Sequence, residues 1–293
     1  MKSIGIDIGG TSIKVGLFQQ GKLLQSERVE GVSSLKKLDD FLRNDLISKF
    51  ATNDNFLGFG FGAPGVISNS TVMSCPNLSW LEGENIKEIV TSVYPNSLCK
   101  IDNDANVAAL GEALYGSGKN YASFAFLTIG TGIGGGLIID GKIFRGPGGM
   151  AGEIGHLNAN HSKICSCGSQ GCIEAIASAS SMEREAESLG LPSSLPDLIT
   201  EAMNGDAASK TIFEKSGEAM GHALSQINLL TDIRTFIFGG GGSPSLQLWA
   251  PNITKVMEGR CFGRNVKRDF ILKEASLGNQ SGIFGAASLI NND

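Results

Sequence analysis

Forty of the 293 residues are glycine, roughly twice the average usage of about 7%, and they are gathered rather than spread. The clusters are Gly9-Gly10, Gly58 to Gly65, Gly130 to Gly136, Gly146 to Gly155 and Gly239 to Gly242, each beside a strand-like stretch. Without a Cβ, glycine takes positive φ and lets a backbone come close to a ligand. Strand-then-glycine punctuation repeated along one chain therefore points to main-chain amides facing phosphate or sugar. Tight turns alone would give any single cluster the same look.

Hydrophobic residues make up 41% of the chain and charged residues 18%, which excludes disorder and collagen-like or mucin-like repeats. The length allows one large domain or two ordinary ones, either with a sizeable core. Twenty-nine acids against 24 bases leave a formal charge of -5, so there is no basic field for nucleic acid or an anionic membrane, and small-molecule work is the better expectation. Lys2 and Asp7 interrupt the amino terminus before a signal core can form, and apolar runs such as Phe124 to Ile129 break well short of the ~20 residues that span a bilayer. A soluble, cytoplasmic chain is expected. Six cysteines do not make a disulfide framework at this length, and three of them crowd into Cys165, Cys167 and Cys172, which in a reducing compartment points to metal before disulfide.

Hydrophobic spacing sets out an α/β layer structure. Ser3 to Asp7 and Ser12 to Phe18 read as strands around Gly9-Gly10-Thr11, with Leu23 to Val29 a third. Leu35, Leu38, Leu42 and Leu46 keep helical spacing behind Ser33 and Ser34, which predicts one amphipathic helix over Leu35 to Phe50. Phe56 to Phe61 is a strand entering Ala63-Pro64-Gly65, a helix runs through Ile86 to Val93, Leu98 to Ile101 is a strand and Ala105 to Tyr115 a helix. A second strand-rich start follows at Phe124 to Ile129, then Gly136 to Ile139 and Lys142 to Phe144 around the hairpin signal Asp140-Gly141. Glu174 to Thr231 is mostly helical, Thr235 to Phe238 is a strand and Gly282 to Ile290 a terminal helix. Two α/β units are expected, 1–116, completed by the helix at 281–293, and 117–280, each opening on a glycine-turned hairpin.

Asp7-Ile8-Gly9-Gly10-Thr11 sets a carboxylate at a strand end and two glycines at a turn, with a hydroxyl beyond. Nucleotide phosphates fit against such amides while Asp7 holds magnesium through water and Thr11 or Lys14 supports the charge; a plain structural hairpin has the same signature. Gly130-Thr131-Gly132-Ile133-Gly134-Gly135-Gly136 matches G-x-G-x-x-G, yet a dinucleotide fold needs a helix to begin at the third glycine. Leu137, Ile138, Ile139 and a hairpin turn follow instead, so this is read as a second phosphate-binding hairpin rather than a dehydrogenase motif. Asn103-Asp104 sits where a strand gives way to a helix. Asp is an expected cap there, and a carboxylate at that junction can also take the proton of an alcohol attacking a γ-phosphate.

Glu153-Ile154-Gly155-His156, followed by Cys165-Ser166-Cys167-Gly168-Ser169-Gln170-Gly171-Cys172, brings one imidazole and three thiols into seventeen positions. His and three Cys make a closed tetrahedral zinc set, structural rather than water-activating, that would fix the loop presenting Glu153 and Glu174. His161 competes with His156 for the fourth position.

Taken in order, these motifs resemble the ROK family of sugar kinases and sugar-responsive repressors, within the two-lobed actin-like (ribonuclease H-like) ATPase fold. Asp7 to Thr11 looks like the family's first phosphate motif, Gly130 to Gly136 like its second, and Gly239-Gly240-Gly241-Gly242 like the loop facing the adenosine; Glu153 to His156 with Cys165 to Cys172 and Glu174 resembles its sugar and zinc signature. By that resemblance Asp7, Gly9, Gly10, Thr11, Lys14, Gly130, Thr131, Gly132, Gly134, Gly239, Gly240 and Gly241 bind ATP with magnesium. Asp104 is the general base, and Gly65, Asn77, Asn103, Glu153, His156 and Glu174 hold the sugar in a cleft closed by the two lobes. Asn279 stands where many members carry an acid and receives no role.

The resemblance implies transfer of the γ-phosphoryl group of ATP to the 6-hydroxyl of a hexose, glucose first. N-acetylmannosamine and N-acetylglucosamine are the alternatives. From another class, a sugar-sensing regulator lacking its DNA-binding domain is the competing expectation, disfavoured by the acidic charge and by a first phosphate strand beginning at residue 3. A homodimer is the family expectation.

Overall fold

The structure is a computed structural model and describes residues 2–10, 12–50, 56–260 and 268–290. Two units share the chain, Met1–Asn120 with Lys142–Ala151 and Asn279–Asp293, and Tyr121–Gly141 with Gly152–Gly278. Lys142–Ala151 thus groups with the first unit although it follows the second hairpin, a return that the boundary drawn at residue 116 does not contain.

The first unit opens with three antiparallel strands, β1 (Lys2–Ile8), β2 (Ser12–Gln19) and β3 (Lys22–Glu30). Leu35 to Phe50 is not one regular helix: α1 (Leu35–Asp40) and α2 (Leu46–Phe50) flank a π-helical turn at Phe41–Asp45. Ser34 caps α1 by accepting the Lys37 N–H, as its position implies. The wider turn still puts Leu38, Phe41, Leu42 and Leu46 in the core. Strand β4 (Phe56–Ala63) runs parallel to β1. Its Phe-Gly alternation has a physical reason. Phe59 and Phe61 fill the core on one face, while on the other a Cβ at Gly60 would fall 1.7 Å from the Ala286 carbonyl oxygen. The terminal helix Ser281–Leu289 therefore lies directly on the strand.

Beyond β4, β5 (Val66–Ser68) and β6 (Thr71–Ser74) form a small antiparallel hairpin that the spacing does not predict. Its turn residues Asn69 and Ser70 both have positive φ, the backbone that two-residue hairpins need. Helix α3 (Ile86–Val93) is capped by Asn85, and β7 (Leu98–Asn103) runs parallel to β4 and passes straight into α4 (Asp104–Tyr115). The sheet order is β3-β2-β1-β4-β7.

In the second unit β8 (Phe124–Ile129) and β9 (Ile133–Ile139) are antiparallel. Strand β9 starts at Ile133, three residues earlier than expected, because the glycines after the turn pair with β8 instead of looping out. Asp140 and Gly141 both take positive φ and turn the chain into the short β10 (Lys142–Ile143). The predicted helical stretch resolves into α5 (Glu174–Ala177), α6 (Ala179–Ser188), α7 (Leu195–Asn204) and α8 (Ala207–Thr231). Gly205 closes α7 in the left-handed conformation and Asp206 caps α8 through the Ser209 N–H. Strand β11 (Thr235–Gly239) is parallel to both β8 and β12 (Ile271–Glu274), with α9 (Leu246–Arg260) between them. The order β9-β8-β11-β12 repeats β2-β1-β4-β7 of the first unit.

Each unit has its own core: Ile4, Ile6, Phe59 and Phe61 with α1 and α3 in one, and Leu127, Phe213, Met220, Phe238 and Trp249 in the other. No helix among the described residues is long and apolar enough to cross a membrane.

Candidate functional site

The strand-to-helix junction of the first unit carries the candidate base. The cap is Asn103 rather than Asp104: its Oδ1 accepts from the Ala105 and Asn106 amides at 2.9 and 3.2 Å, and Asp104 is the first helical residue. Neither an aspartate's identity nor its position distinguishes cap from neighbour in the sequence. The Asn103 Nδ2 donates to the Gly65 carbonyl at 3.1 Å, so one side chain fixes both the helix start and the Ala63-Pro64-Gly65 loop. Gly65 has φ +95°, and a Cβ there would lie 2.0 Å from the Ser74 carbonyl oxygen, which no side chain tolerates. The structure thus brings Gly65, Asn103 and Asp104 together. Asn77 stands exposed in the 3-10 turn Pro76–Leu81, two residues after Cys75.

Asp102, not singled out by motif reading, supports this junction from below. Its buried carboxylate accepts from the Asn103 amide (2.7 Å), from Asn106 Nδ2 (3.0 Å) and from Arg145 Nε (2.6 Å). A buried carboxylate held by three donors is a fixed anchor for the junction. Its adjacency to Asn103-Asp104 was the available signal; its partner Arg145, 43 residues on, had none.

The first glycine hairpin closes with the Gly9 N–H donating to the Ser12 carbonyl at 3.0 Å. Asp7 pairs across it with Lys14, Nζ to Oδ2 at 3.4 Å. Burial pushes the Asp7 carboxyl up from the usual range, against the pull of Lys14. Thr11 lies outside the described residues.

In the second unit Gly130 N–H donates to the Gly132 carbonyl at 2.9 Å, and Gly134 N–H to the Thr128 hydroxyl at 3.2 Å. The Gly239 to Gly242 loop is tied to the same strand end, Gly242 N–H to the Ile129 carbonyl at 2.9 Å. Gly240, at φ +78°, presses on the Ile129 backbone, whereas a Cβ at Gly130 or Gly241 would meet nothing within 4 Å among the described residues. The same open space stands over Gly10 of the first hairpin. These turns leave room for a large group against the main chain, the property a phosphate cradle needs.

Glu153 precedes a 3-10 turn, Ile154–His156, that lies against β9: a Cβ at Gly155 would approach the Ile133 carbonyl oxygen at 2.2 Å. Both Glu153 and His156 are exposed. His156, Cys165, Cys167 and Cys172 place their ligand atoms within 4.8 Å of one another. Cys167 and Cys172 sulfurs are 3.7 Å apart, and Cys165 Sγ is 3.8 Å from His156 Nδ1. Sulfurs about 2.3 Å from one tetrahedral zinc stand about 3.8 Å apart, so the four residues fit that ion. His161 is excluded from the set by its own bonds: Nε2 donates to the Cys172 carbonyl at 3.0 Å and Nδ1 accepts the Lys163 N–H at 3.1 Å. Glu174, at the start of α5, accepts from the Ile133 N–H at 2.9 Å through Oε2 and from the Ser166 hydroxyl at 3.2 Å through Oε1.

The family model described as "ROK family" matches residues 3–293. The chain belongs to the ROK family. A glucokinase from Streptomyces coelicolor is 32% identical over 98% of this chain and 96% of its own. A xylose repressor from Caldicellulosiruptor bescii is 36% identical over 60% of this chain and 46% of its own. The crystal structure of a ROK family glucokinase from Streptomyces griseus in complex with glucose and AMPPNP superposes with a TM-score of 0.81 at 29% identity, covering 99% of each chain. The fold is therefore the actin-like ATPase fold of ROK glucokinases, and the doubled strand order is its duplicated core.

Proposed function

We propose that this ROK protein is an ATP-dependent hexose kinase acting on the 6-hydroxyl, with glucose the first substrate. The observation that carries the reading is the Asn103-capped start of α4, which fixes Asp104 beside the Gly65 loop through three hydrogen bonds of one side chain. Kinase relatives matched along nearly the whole chain support it.

In this mechanism Asp104 accepts the proton of the sugar hydroxyl as that oxygen bonds to the γ-phosphorus and the bond to the bridging oxygen of ADP breaks. Asn103, Gly65 and Asn77 orient the sugar near that carboxylate, and Glu153, His156 and Glu174 select its other hydroxyls. The main chain at Gly9-Gly10, Gly130 to Gly134 and Gly239 to Gly241, with Thr11 and Thr131, holds the nucleotide, and Asp7 and Lys14 set the charge beside its magnesium. Magnesium, when bound with ATP, spreads the charge that develops on the transferred group. His156 would give zinc Nδ1, the nitrogen facing the cysteine sulfurs, and keep Nε2 for a sugar hydroxyl. Zinc bound there holds the loop rather than activating water.

The test is ADP release by the purified protein with glucose, N-acetylmannosamine, N-acetylglucosamine, fructose and a glucoside. Glucose should give the highest kcat/KM, and Asp104→Asn should cut turnover by about 10³-fold while sugar binding persists. Sugar binding without ADP release from any of the five would replace the kinase with a sugar sensor, the role that the matched repressor represents.

A further inference from the structure

The second glycine hairpin carries no charge of its own, yet a carboxylate is tucked beneath its turn. A Cβ at Gly132 would fall 2.4 Å from Glu174 Oε2, and that oxygen accepts the Ile133 N–H at 2.9 Å. The other oxygen of the same carboxylate accepts the Ser166 hydroxyl at 3.2 Å. Cys165 Sγ lies 3.6 Å from that same oxygen. Ser166 stands between Cys165 and Cys167, two members of the candidate metal set. One side chain therefore joins a turn read as a nucleotide cradle to a knuckle read as a zinc site, across 41 residues of sequence.

We propose that Glu174 is a positioning residue that transmits the order of the metal knuckle to the nucleotide turn, so that metal binding tightens nucleotide binding even with no sugar present. Hydrogen bonds to an ionised group are short-ranged and directional. A knuckle folded around an ion fixes the Ser166 hydroxyl, that hydroxyl fixes Oε1, and the rigid carboxylate carries Oε2 to the Ile133 amide. With that amide engaged from beneath, the Thr131 and Gly132 amides at the tip keep one orientation. In a loose knuckle the carboxylate rotates and the turn samples more states, which costs nucleotide affinity without removing any nucleotide contact. A sugar-contacting role for Glu174 does not predict this, because it has no effect on nucleotide in the absence of sugar. The inference rests on the nucleotide reading of Gly130 to Gly134, and the experiment separates the two.

The full-length protein is compared with Glu174→Ala, Glu174→Gln and Ser166→Ala, each metal-loaded and metal-stripped, with zinc counted per chain. Affinity for magnesium-ADP is measured without sugar, and amide exchange is measured at Ile133 and at Gly9. In the loaded state Glu174→Ala should weaken nucleotide binding about tenfold and Ser166→Ala about threefold, the range for losing an ordinary net hydrogen-bond contribution felt at one remove from the ligand. Glu174→Gln should restore most of the affinity, because its carbonyl still accepts from Ile133 and its NH2 still reaches Ser166 Oγ. Stripping the metal should weaken nucleotide binding in the parent but have no further effect in Glu174→Ala. Ile133 protection should fall in parallel, with Gly9 unchanged. Equal metal effects in parent and Glu174→Ala, or unchanged Ile133 protection in both Glu174→Ala and Ser166→Ala, would overturn the proposal. If Glu174→Ala fails to fold, Ser166→Ala and the stripped parent decide. If the parent binds no nucleotide, the kinase reading fails, and Ile133 exchange alone still decides whether the strut exists.

Discussion

The two glycine hairpins share a frame and differ in where their chemistry comes from. In each, the first glycine of the turn donates back across it, Gly9 to Ser12 and Gly130 to Gly132, and a buried isoleucine pair closes the strands, Ile8 with Ile13 and Ile129 with Ile133. One pair further from the turn they diverge. The first hairpin has Asp7 opposite Lys14, opposite charges in one ladder rung. The second has Thr128 opposite Gly134, a hydroxyl accepting an amide, and takes a carboxylate from Glu174, far along the chain. Duplicated backbones thus hold unlike sites: one hairpin carries its own electrostatics, while the other presents main chain and is braced from outside.

That contrast predicts unequal costs. Asp7→Asn should lower kcat by about a hundredfold or more, as expected when a charge that acts on the transferred phosphate is removed, and should raise the magnesium concentration needed for half-maximal rate. Thr128→Val removes only the hydroxyl that accepts the Gly134 amide, worth about 1 kcal/mol, and should reduce the rate by less than about tenfold with no change in magnesium dependence. Steady-state kinetics across a magnesium series check both. Equal losses in the two variants would mean that the hairpins are electrostatically interchangeable, and the comparison would collapse.

The same division decided what could be read in advance. The Asp7-Lys14 hairpin, the Asp140-Gly141 turn and the Cys165-Cys167-Cys172 cluster are local or closely spaced, so spacing alone points to them. Spacing left His161 open, because what excludes it is a pair of backbone bonds visible only in three dimensions. Glu174 was legible as a member of a motif but not as the acceptor of the Ile133 amide. The Asp102–Arg145 pair depends on a segment that returns to the first unit after the second hairpin, and nothing local announces such a return. Helix α9 was missed because Pro251 sits inside it. A proline interrupts the periodic signal, yet Trp249, Ile253 and Met257 are fully buried and hold the helix in place.

A smaller effect sharpens the picture of the brace. In the metal-free protein the Cys167 thiol is lowered to about 6, chiefly by the Ser169 backbone N–H donating to it, whereas burial raises Cys99 to about 12. The thiolate form of Cys167 predominates above about pH 6 and wanes below it, so iodoacetamide at pH 7 should label Cys167 rapidly and Cys99 negligibly, with the rate at Cys167 falling as pH drops below 6. Zinc should suppress the labelling. Mass mapping of the modified sites checks this, and rapid labelling of Cys167 in zinc-loaded protein would remove it from the ligand set.

The weakest effect concerns how far the bracing extends. On the outer edge of the knuckle Lys163 pairs with Glu185 of α6, which Lys215 of α8 also approaches at 3.3 Å. Lys163 first, then Lys215, hold the Glu185 carboxyl below its usual range against the opposing effect of burial. A carboxylate with a depressed folded pKa stabilises the protein above its unfolded pKa, about 4.3 for Glu, and loses that contribution as pH falls through the folded value. The pairs are partly exposed, so the contribution is screened, at most about 1 kcal/mol. Glu185→Gln should therefore lower the melting temperature slightly at pH 7, with the gap to the parent closing below about pH 4. Ile133 amide protection should not change, because Glu185 touches neither Glu174 nor the turn in the way Ser166 does. A fall in Ile133 protection in this variant would show that the second hairpin is held by the whole edge of the knuckle rather than by one carboxylate, and the contrast with the self-contained first hairpin would become one of degree.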